Sequence, residues 1–250
     1  MMNQSNPFRH LAVAAFACLM AASCSDVTDD STALPDGKYP MTFTASVDGL
    51  AAPNPASRAT TDVNGQTSWQ ENDPVAISMD GGANHKVYKI SDAGIGEMIA
   101  DGEPLYWSKQ QENLAAWHPV SCTIGSNTGS GEVSITDQRS GFGTLENILH
   151  APAQDYTYSS GGSVAFTFRH ALAKVKVALK KGDGIEESDL SNAIVTFTGY
   201  TAGTLGYGGM TDSEGMTGSE GSNGDISPKA ETPAGGGAAT YTALVIPQQM

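Results

Sequence analysis

Strict alternation of apolar and polar residues constrains the fold of this chain more than any other feature of its sequence. Apolar side chains recur at every second position through residues 41–47 and again through residues 164–168. Successive side chains of an extended strand point to opposite faces, so this repeat places one face on a core and the other in solvent. A helix would scatter the same side chains around its axis. We therefore predict a half-buried β-strand in each stretch.

Shorter β-like runs, bounded by turn residues, occupy much of the remaining chain. Turn signals such as Asp101-Gly102 are typical of hairpins and sandwich loops, not of connections between helices. A helical pattern at residues 145–150 predicts one short helix. The fold class is therefore predicted to be all-β. The further predicted strands cover residues 74–79, 86–90, 104–108, 114–117, 132–136, 193–200 and 241–246.

Residues 170–181, with the sequence HALAKVKVALKK, allow both a helix and a strand. A helix would align Leu172, Val175 and Leu179 on one face, whereas a strand would place every second residue from Ala173 onward opposite the lysines. Valine is branched at Cβ and loses side-chain freedom in a helix, so it favours an extended backbone. We therefore predict a strand at residues 173–179.

The Lys-Gly-Asp-Gly stretch at residues 181–184 is the clearest break in this pattern. It predicts an N-terminal β-sandwich domain at residues 39–182 and a C-terminal one at residues 183–250. Beyond the break, residues 201–239 hold eleven glycines and few strands are evident. Two or three strands cannot close a sandwich of about seven. Either weak strands lie in the glycine-rich stretch or the second domain is incomplete, and we expect the second alternative.

The N-terminus has the organisation of a secretory signal. A polar start containing Arg9 precedes twelve uncharged apolar residues at 11–22, a run too short to cross about 30 Å of hydrocarbon. We therefore predict a signal peptide at residues 1–23. The small residues before Cys24 resemble the lipobox of bacterial lipoproteins, in which the thiol takes diacylglycerol and palmitate is an expected acyl chain. The alternative is an ordinary signal cut near Ala22, with Cys24 incidental.

Residues 24–38 are predicted to form a solvated acidic tether, because they are rich in Asp, Ser and Thr and hold few large apolar groups. The three aspartates soon after Cys24 resemble the export tag that directs some lipoproteins to the outer face of the outer membrane. Cys18 lies in the predicted signal and Cys24 is the predicted lipidation site, which leaves Cys122 alone. No disulfide framework can then form in the mature chain.

Charge and motif content argue against several classes of function. The net charge of −14 excludes nucleic acid as the expected partner, because phosphate contacts require clustered Lys and Arg. Motifs of nucleotide sites, metalloproteases and serine hydrolases do not occur. The acidic run that includes Asp212 lacks EF-hand spacing. We therefore predict no enzyme activity, no catalytic residue, no metal site and no cofactor. Partly exposed strand or loop positions are predicted for His85, His118, His150 and His170.

Two further features leave alternatives open. Three tryptophans could form a platform on which sugar faces stack, although buried positions in a β core are favoured. They are Trp69, Trp107 and Trp117. Arg58 is the only basic residue between Lys38 and Lys86, and small, turn-prone residues surround it. Such a segment is accessible to a protease, but an ordinary surface arginine would look the same.

Several short motifs follow one another in a definite order. After the lipoprotein-like signal come Phe-Thr-Ala at residues 43–45, Arg58-Ala59-Thr60, WQENDPVAI at residues 69–77, FTFRHALAKVKVAL at residues 166–179 and VIPQQ at residues 245–249. Each motif is loose by itself, but their order over nearly the whole chain resembles the fimbrillin family of Bacteroides-type cell-surface pili. Trp117-His118-Pro119 stands where that family has an aromatic residue followed by proline.

The resemblance implies a pair of transthyretin-like β-sandwich domains in a structural or tip subunit of cell-surface fimbriae that acts in cell adhesion. It implies lipidation at Cys24, a location at the cell outer membrane, and cleavage between Arg58 and Ala59 by a trypsin-like protease. The cut would release the strand at residues 41–47. A strand of another fimbrial subunit would fill the groove by β-strand addition. A host or bacterial surface ligand is a further expected partner.

A binding module is the alternative to a fimbrial subunit. In that case the chain would be a permanently lipid-anchored surface lipoprotein, without cleavage at Arg58. Exposed tryptophans would then capture a glycan by stacking on its apolar faces.

Overall fold

The computed structural model describes residues 34, 37–48, 60–61, 67–79, 84–122, 132–205, 216–219, 221–231 and 239–247. Within these residues most of the backbone is extended, which confirms the all-β prediction. The strands are interrupted by a 3₁₀ helix, Gly143–Asn147, and a short α-helix, α1 (Glu187–Ser191). In the same residues no helix has the length and apolar character needed to cross a bilayer.

The strands are short, as the frequent turn residues predict. In chain order they are β1 (Tyr39–Pro40), β2 (Phe43–Val47), β3 (Thr60–Thr61), β4 (Thr67–Ser68), β5 (Pro74–Ser78), β6 (His85–Asp92), β7 (Glu97–Ala100), β8 (Tyr106–Trp107), β9 (Gln111–His118), β10 (Glu132–Ser134), β11 (Leu149–Thr157), β12 (Val164–His170), β13 (Ala173–Ala178), β14 (Phe197–Tyr200), β15 (Ala202–Leu205), β16 (Met216–Gly218), β17 (Asn223–Ile226), β18 (Lys229–Glu231) and β19 (Thr240–Val245).

Seven of these strands form a closed barrel in the order β11-β12-β2-β7-β6-β5-β9. Strand β2 therefore lies between β12 and β7. It runs parallel to β12, whereas the other six neighbouring pairs of the barrel are antiparallel. A closed barrel has no free edge, so the loss of one strand would leave two edges with unpaired backbone groups.

The alternation in the sequence places one set of side chains inside the barrel. Phe43 of β2, Tyr88 of β6, Leu114 of β9, and Phe166 and Phe168 of β12 are each at most 2% exposed. They belong to one hydrophobic core. The strands predicted at residues 41–47 and 164–168 are thereby confirmed, apart from their ends.

A second hydrophobic core lies against the outer face of two barrel strands. Along β5 and β9, Ala76 and Trp117 alternate with residues of the first core and pack into the second core instead. Leu205, Ile226 and Leu244 belong to the same second core. Each of these last three residues comes from a different small sheet. The three sheets are β10-β15-β16, β14-β17 and β13-β19-β18.

The glycine-rich stretch contains strands that the sequence patterns did not predict. Strands β15, β16, β17 and β18 all lie within residues 201–239. The stretch therefore holds more strands than its sequence pattern indicates, and the expectation that the second domain is incomplete stays a prediction. The division at residues 182 and 183 stays a prediction, and β13 pairs across it with β19 along its full length.

The helix predicted at residues 145–150 is only partly correct. The 3₁₀ helix ends at Asn147, and β11 begins at Leu149. Leu149 and His150 pair with His118 and Trp117 of β9, so sheet pairing outweighs the local helical pattern. The strand predicted at residues 173–179 is confirmed as β13.

Candidate functional site

The backbone of β2 is bonded on both sides along the barrel wall. Its five residues pair in register with β12, from Phe43 opposite Val164 to Val47 opposite Phe168. On the other side Phe43 and Thr44 pair with Met98 and Glu97 of β7. The backbone N–H and C=O groups of β2 therefore find their hydrogen-bond partners on β12 and β7, and those two strands find partners on β2. This strand and its surroundings form the candidate site, which we call the β2 groove.

The bonding continues beyond both ends of the strand. At the N-terminal end, the Met41 nitrogen donates a hydrogen bond to the Leu105 oxygen at 2.8 Å. At the C-terminal end, the Asp48 nitrogen donates to the Phe168 oxygen at 2.7 Å. The β2 groove therefore holds eight consecutive residues, 41–48.

The inward side chains of the segment are almost fully buried. Phe43 is 1% exposed and lies between two aromatic rings. The Tyr88 ring meets it edge to face at 4.8 Å between centroids, and the Phe166 ring stacks on it at 5.6 Å. Met41, Ala45 and Val47 are buried beside it in the same core. Burial of each larger side chain is worth about 1.5–3 kcal/mol, so the segment is held mainly by its apolar face.

Gly96 brings the turn before β7 into direct contact with the β2 backbone. The Ala45 nitrogen donates a hydrogen bond to the Gly96 oxygen at 2.8 Å. Gly96 has φ +68°, and a Cβ at this position would lie 1.8 Å from the Ala45 oxygen. No side chain can occupy that space, so glycine is required both for the backbone angle and for the approach of β2.

Strand β1 forms a second contact between the N-terminal segment and the rest of the chain. Tyr39 and Pro40 pair with Trp107 and Tyr106 of β8. The Tyr39 ring lies edge to face on Tyr158, with 5.2 Å between centroids, and the Trp107 ring lies 5.8 Å from the same tyrosine. These rings form an aromatic ledge at the entrance to the β2 groove.

Polar groups of the segment face solvent and bond to β12 or to the turn before it. The Thr42 hydroxyl donates to the Gly162 oxygen at 3.1 Å, and the Ser46 hydroxyl donates to the Phe166 oxygen at 3.3 Å. Arg169 pairs with Asp48 at 3.2 Å between Nε and Oδ2, with both side chains more than half exposed. Exposed ion pairs contribute at most about 1 kcal/mol, so these groups guide the alignment more than they hold the strand.

The predicted processing residues lie outside the described part of the chain. Cys24, Arg58 and Ala59 are not among the residues that the structure describes. The next residue that the structure describes is Thr60, which begins β3 and pairs with Ser68 of β4. Lipidation at Cys24 and cleavage after Arg58 therefore stay predictions.

The histidines have structural surroundings. All four lie in strands, and His118 and His150 are buried, so the predicted partial exposure is wrong for these two. His118 Nδ1 lies 2.8 Å from the Pro74 oxygen and must donate its proton, because a carbonyl can only accept. In the described residues no three His, Cys, Asp or Glu side chains are grouped as a metal ion would require. Burial raises the pKa of the Cys122 thiol, which keeps it protonated.

The tryptophans belong to the cores, as favoured from the sequence. Trp69, Trp107 and Trp117 are 4%, 8% and 0% exposed. Sugar stacking requires an accessible ring face, so none of the three can serve as a glycan platform in this conformation. The WQENDP motif instead closes a turn that leads into β5. The Gln70 nitrogen donates to the Asp73 carboxylate at 2.9 Å, and the Asp73 nitrogen donates to the Gln70 oxygen at 3.1 Å.

The sequence patterns predicted β2 as a strand, but they did not identify the residues that pack against it or bond to its backbone. The sequence places Tyr88 and Phe166 only within predicted strands and gives Gly96 no particular role. The available signal was the glycine itself, placed between two runs of alternating residues. Such a glycine is typical of a tight turn or of close backbone approach.

The fold and the β2 groove define an all-β protein in which an N-terminal strand completes a barrel built from downstream strands. Within that class the chain belongs to the fimbrillin-like family, whose model matches residues 57–250. Membership of this family supports a role as a fimbrial or adhesion subunit, assembly with other fimbrial subunits and a location at the cell surface. It also points to a structural protein and not to an enzyme.

Two solved structures are similar over 86% of the chain. A Bacteroides uniformis protein described as a cell adhesion protein is 18% identical, with a TM-score of 0.48 and 76% of its own chain covered. A Bacteroides ovatus protein with the same description is 14% identical, with a TM-score of 0.46 and 80% of its own chain covered. No curated protein matches the chain.

Proposed function

We propose that this chain is a structural or tip subunit of cell-surface fimbriae that assembles by strand exchange. In this proposal the precursor is acylated at Cys24 and carried to the outer membrane, with residues 24–38 as a solvated tether. A trypsin-like protease then cuts between Arg58 and Ala59. The shortened subunit joins other fimbrial subunits by β-strand addition and takes part in cell adhesion.

One structural relationship carries the proposal. Strand β2 precedes Arg58 in the chain, whereas the strands β7 and β12 that hold it follow Arg58. A single cut after Arg58 would therefore leave β2 attached to the barrel by non-covalent contacts alone. Strand β1 also precedes the cut, and the family match begins at residue 57, next to the predicted site.

Departure of the segment would leave a receptive surface. Edges of β7 and β12 would present unpaired N–H and C=O groups, and the Tyr88, Phe166 and Phe168 side chains would lose their cover. A strand from another subunit would restore both the ladder hydrogen bonds and the apolar contacts. The same cut would separate the subunit from the lipid at Cys24.

The proposal is tested on the purified full chain with an arginine-specific protease. We expect the wild type to give a product that begins at Ala59, measured by mass spectrometry, followed by oligomers in size-exclusion chromatography. The Arg58→Ala variant should stay intact and monomeric. Arg139→Ala is the matched control, because Arg139 is an exposed arginine outside the predicted site, and it should behave as the wild type does.

Two results would contradict the mechanism. One is assembly of the Arg58→Ala variant to the same extent as the wild type. The other is cleavage after Arg58 with no assembly and no loss of the N-terminal fragment. The alternative function, a permanently anchored glycan-binding lipoprotein, loses its main support because the three tryptophans are buried.

A further inference from the structure

The β2 groove has different steric requirements at successive positions. We propose that it selects an incoming strand by the pattern of its side chains: an aromatic side chain in the Phe43 position and a small side chain in the Ala45 position, with Gly96 leaving room for the strand backbone beside the Ala45 position. This inference rests on the proposed strand exchange and identifies the chemistry of the strand that takes part in it. The partner is an extended segment of another subunit.

The Phe43 position is an aromatic slot. Tyr88 closes it on one side at 80° to the Phe43 ring, and Phe166 lies almost parallel to that ring at 20°. Phe166 is held in turn by edge-to-face contacts with Tyr156 at 5.4 Å and Phe168 at 6.1 Å. Because its walls are fixed by these further rings, the slot cannot close around a smaller side chain without leaving a cavity.

The Ala45 position lies two residues further along, beside the closest approach in the site. There the strand backbone sits against Gly96, with the 2.8 Å hydrogen bond between the Ala45 nitrogen and the Gly96 oxygen. The Ala45 side chain is 5% exposed within the first core. A large side chain would overpack the core, and the strand could not retreat without losing the bond to Gly96.

Together the two positions exclude slipped registers. A slip of one residue would turn the apolar face to solvent. A slip of two residues would place the aromatic ring in the Ala45 or the Met41 position and would empty the slot between Tyr88 and Phe166. Two hydrogen bonds mark the correct ends of the segment: the Thr42 hydroxyl donates to the Gly162 oxygen, and the Asp48 carboxylate accepts from the Arg169 guanidinium.

The selectivity is measured with synthetic peptides that carry the sequence of residues 39–48, added to the full chain after cleavage at Arg58. Truncation at the Phe43 position to alanine should weaken binding by a factor of about 100 or more. Enlargement of the Ala45 position to leucine should weaken it by a factor of about 10. A Thr44→Ser peptide is the control and should bind as the parent does, because Thr44 faces away from the core.

The receiving side is tested by two glycine variants of the full chain. Gly96→Ala should abolish binding of the parent peptide. Gly161→Ala should retain it, because Gly161 has a similar φ of +71° but open space around its Cβ position. Equal binding by the parent, Phe43→Ala and Ala45→Leu peptides would overturn the proposal, and so would normal binding by Gly96→Ala.

A separate preparation distinguishes this inference from the proposed function. The uncut full chain carrying Phe43→Ala and Val47→Ala has a weakened β2 and needs no protease, so labelled parent peptide can exchange into it. If Arg58 is never cleaved, the proposed function fails, but the same order of peptide affinities in this variant would still support the selectivity. Absence of exchange by the parent peptide in both preparations would overturn the inference.

Discussion

The side chain of Gln138 holds both backbone groups of Leu244. Leu244 N donates to the Gln138 Oε1 atom at 2.7 Å, and Gln138 Nε2 donates to the Leu244 oxygen at 2.8 Å. The amide is fully buried, and Nε2 also donates to the Ile135 oxygen at 3.0 Å. A loop after β10 is thereby joined to β19 in the second core by hydrogen bonds that water cannot replace.

Replacement of this amide is expected to destabilise the second core. Gln138→Leu keeps the volume but leaves the buried backbone groups of Leu244 without partners, at a cost of about 2–5 kcal/mol in the free energy of unfolding. Urea unfolding of the full chain measures the change. Gln111→Leu is the control, because the Gln111 side chain is exposed, and it should change the free energy by less than about 0.5 kcal/mol. Equal losses in the two variants would contradict the role of Gln138.

A pair of glycine variants separates backbone strain from steric contact in the intact chain. Gly96→Ala and Gly161→Ala share nearly the same positive φ, so each should lose about 1–2 kcal/mol from left-handed strain. Gly96→Ala should lose about 1–3 kcal/mol more, because its Cβ collides with the Ala45 oxygen and β2 must move. Thermal unfolding of both variants gives the comparison. A loss at Gly96 no larger than that at Gly161 would show that β2 does not depend on this contact.

The strands that alternation makes visible in the sequence are those with one buried and one exposed face. Strands β2 and β12 have that arrangement, so their alternation is visible. Strand β11 has no such signal, because Pro152 interrupts it and its register with β9 shifts between Ala151 and Gln154. Proline in a strand is typical of an edge or a bulge, and locally it argues against a strand at all.

The glycine-rich strands and the β2 groove show a second limit of prediction from the sequence. Strand β17 is Asn-Gly-Asp-Ile, a sequence with low β-propensity, and it exists through its pairing with β14 and the burial of Ile226. In the same way β2 was predictable as a strand, but its contacts with Tyr88, Gly96 and Phe166 join distant parts of the chain. Local patterns carry no information about such pairings, so the groove could be described only from the fold.

The pairing of Glu231 makes part of the stability dependent on pH. Its carboxylate accepts hydrogen bonds from Lys176 and Thr242, each at 2.7 Å. The bond from Lys176 is the largest cause that lowers the pKa of Glu231 below its ordinary value of 4.5. A lowered pKa means that the folded state favours the ionised form. The stabilisation is therefore complete above pH 4.5 and is lost as the pH falls through the lower folded-state pKa.

Lys176→Met should remove most of this effect. Near pH 6 the variant should be less stable than the wild type by less than about 1 kcal/mol, because the pair is partly exposed. The difference should shrink as the pH falls below 4.5 and the carboxyl group takes up its proton in both proteins. Lys180→Met, which alters an exposed lysine just after β13, serves as the control. A stability difference for Lys176→Met that stays constant from pH 6 to pH 2 would contradict the assignment.

Trp107 provides an optical test of whether the N-terminal segment leaves after cleavage. Tyr39 of β1 pairs with it directly, and both rings contact Tyr158, so Trp107 is only 8% exposed while β1 is in place. Departure of the segment would expose the indole. We therefore expect a red shift of the emission and stronger acrylamide quenching after treatment with an arginine-specific protease.

The Arg58→Ala variant should show neither change. In Trp107→Phe most of the change should disappear, because Trp107 is the tryptophan whose strand pairs with β1. Unchanged quenching in a sample from which the N-terminal fragment has been lost would mean that the aromatic ledge is covered by something other than β1.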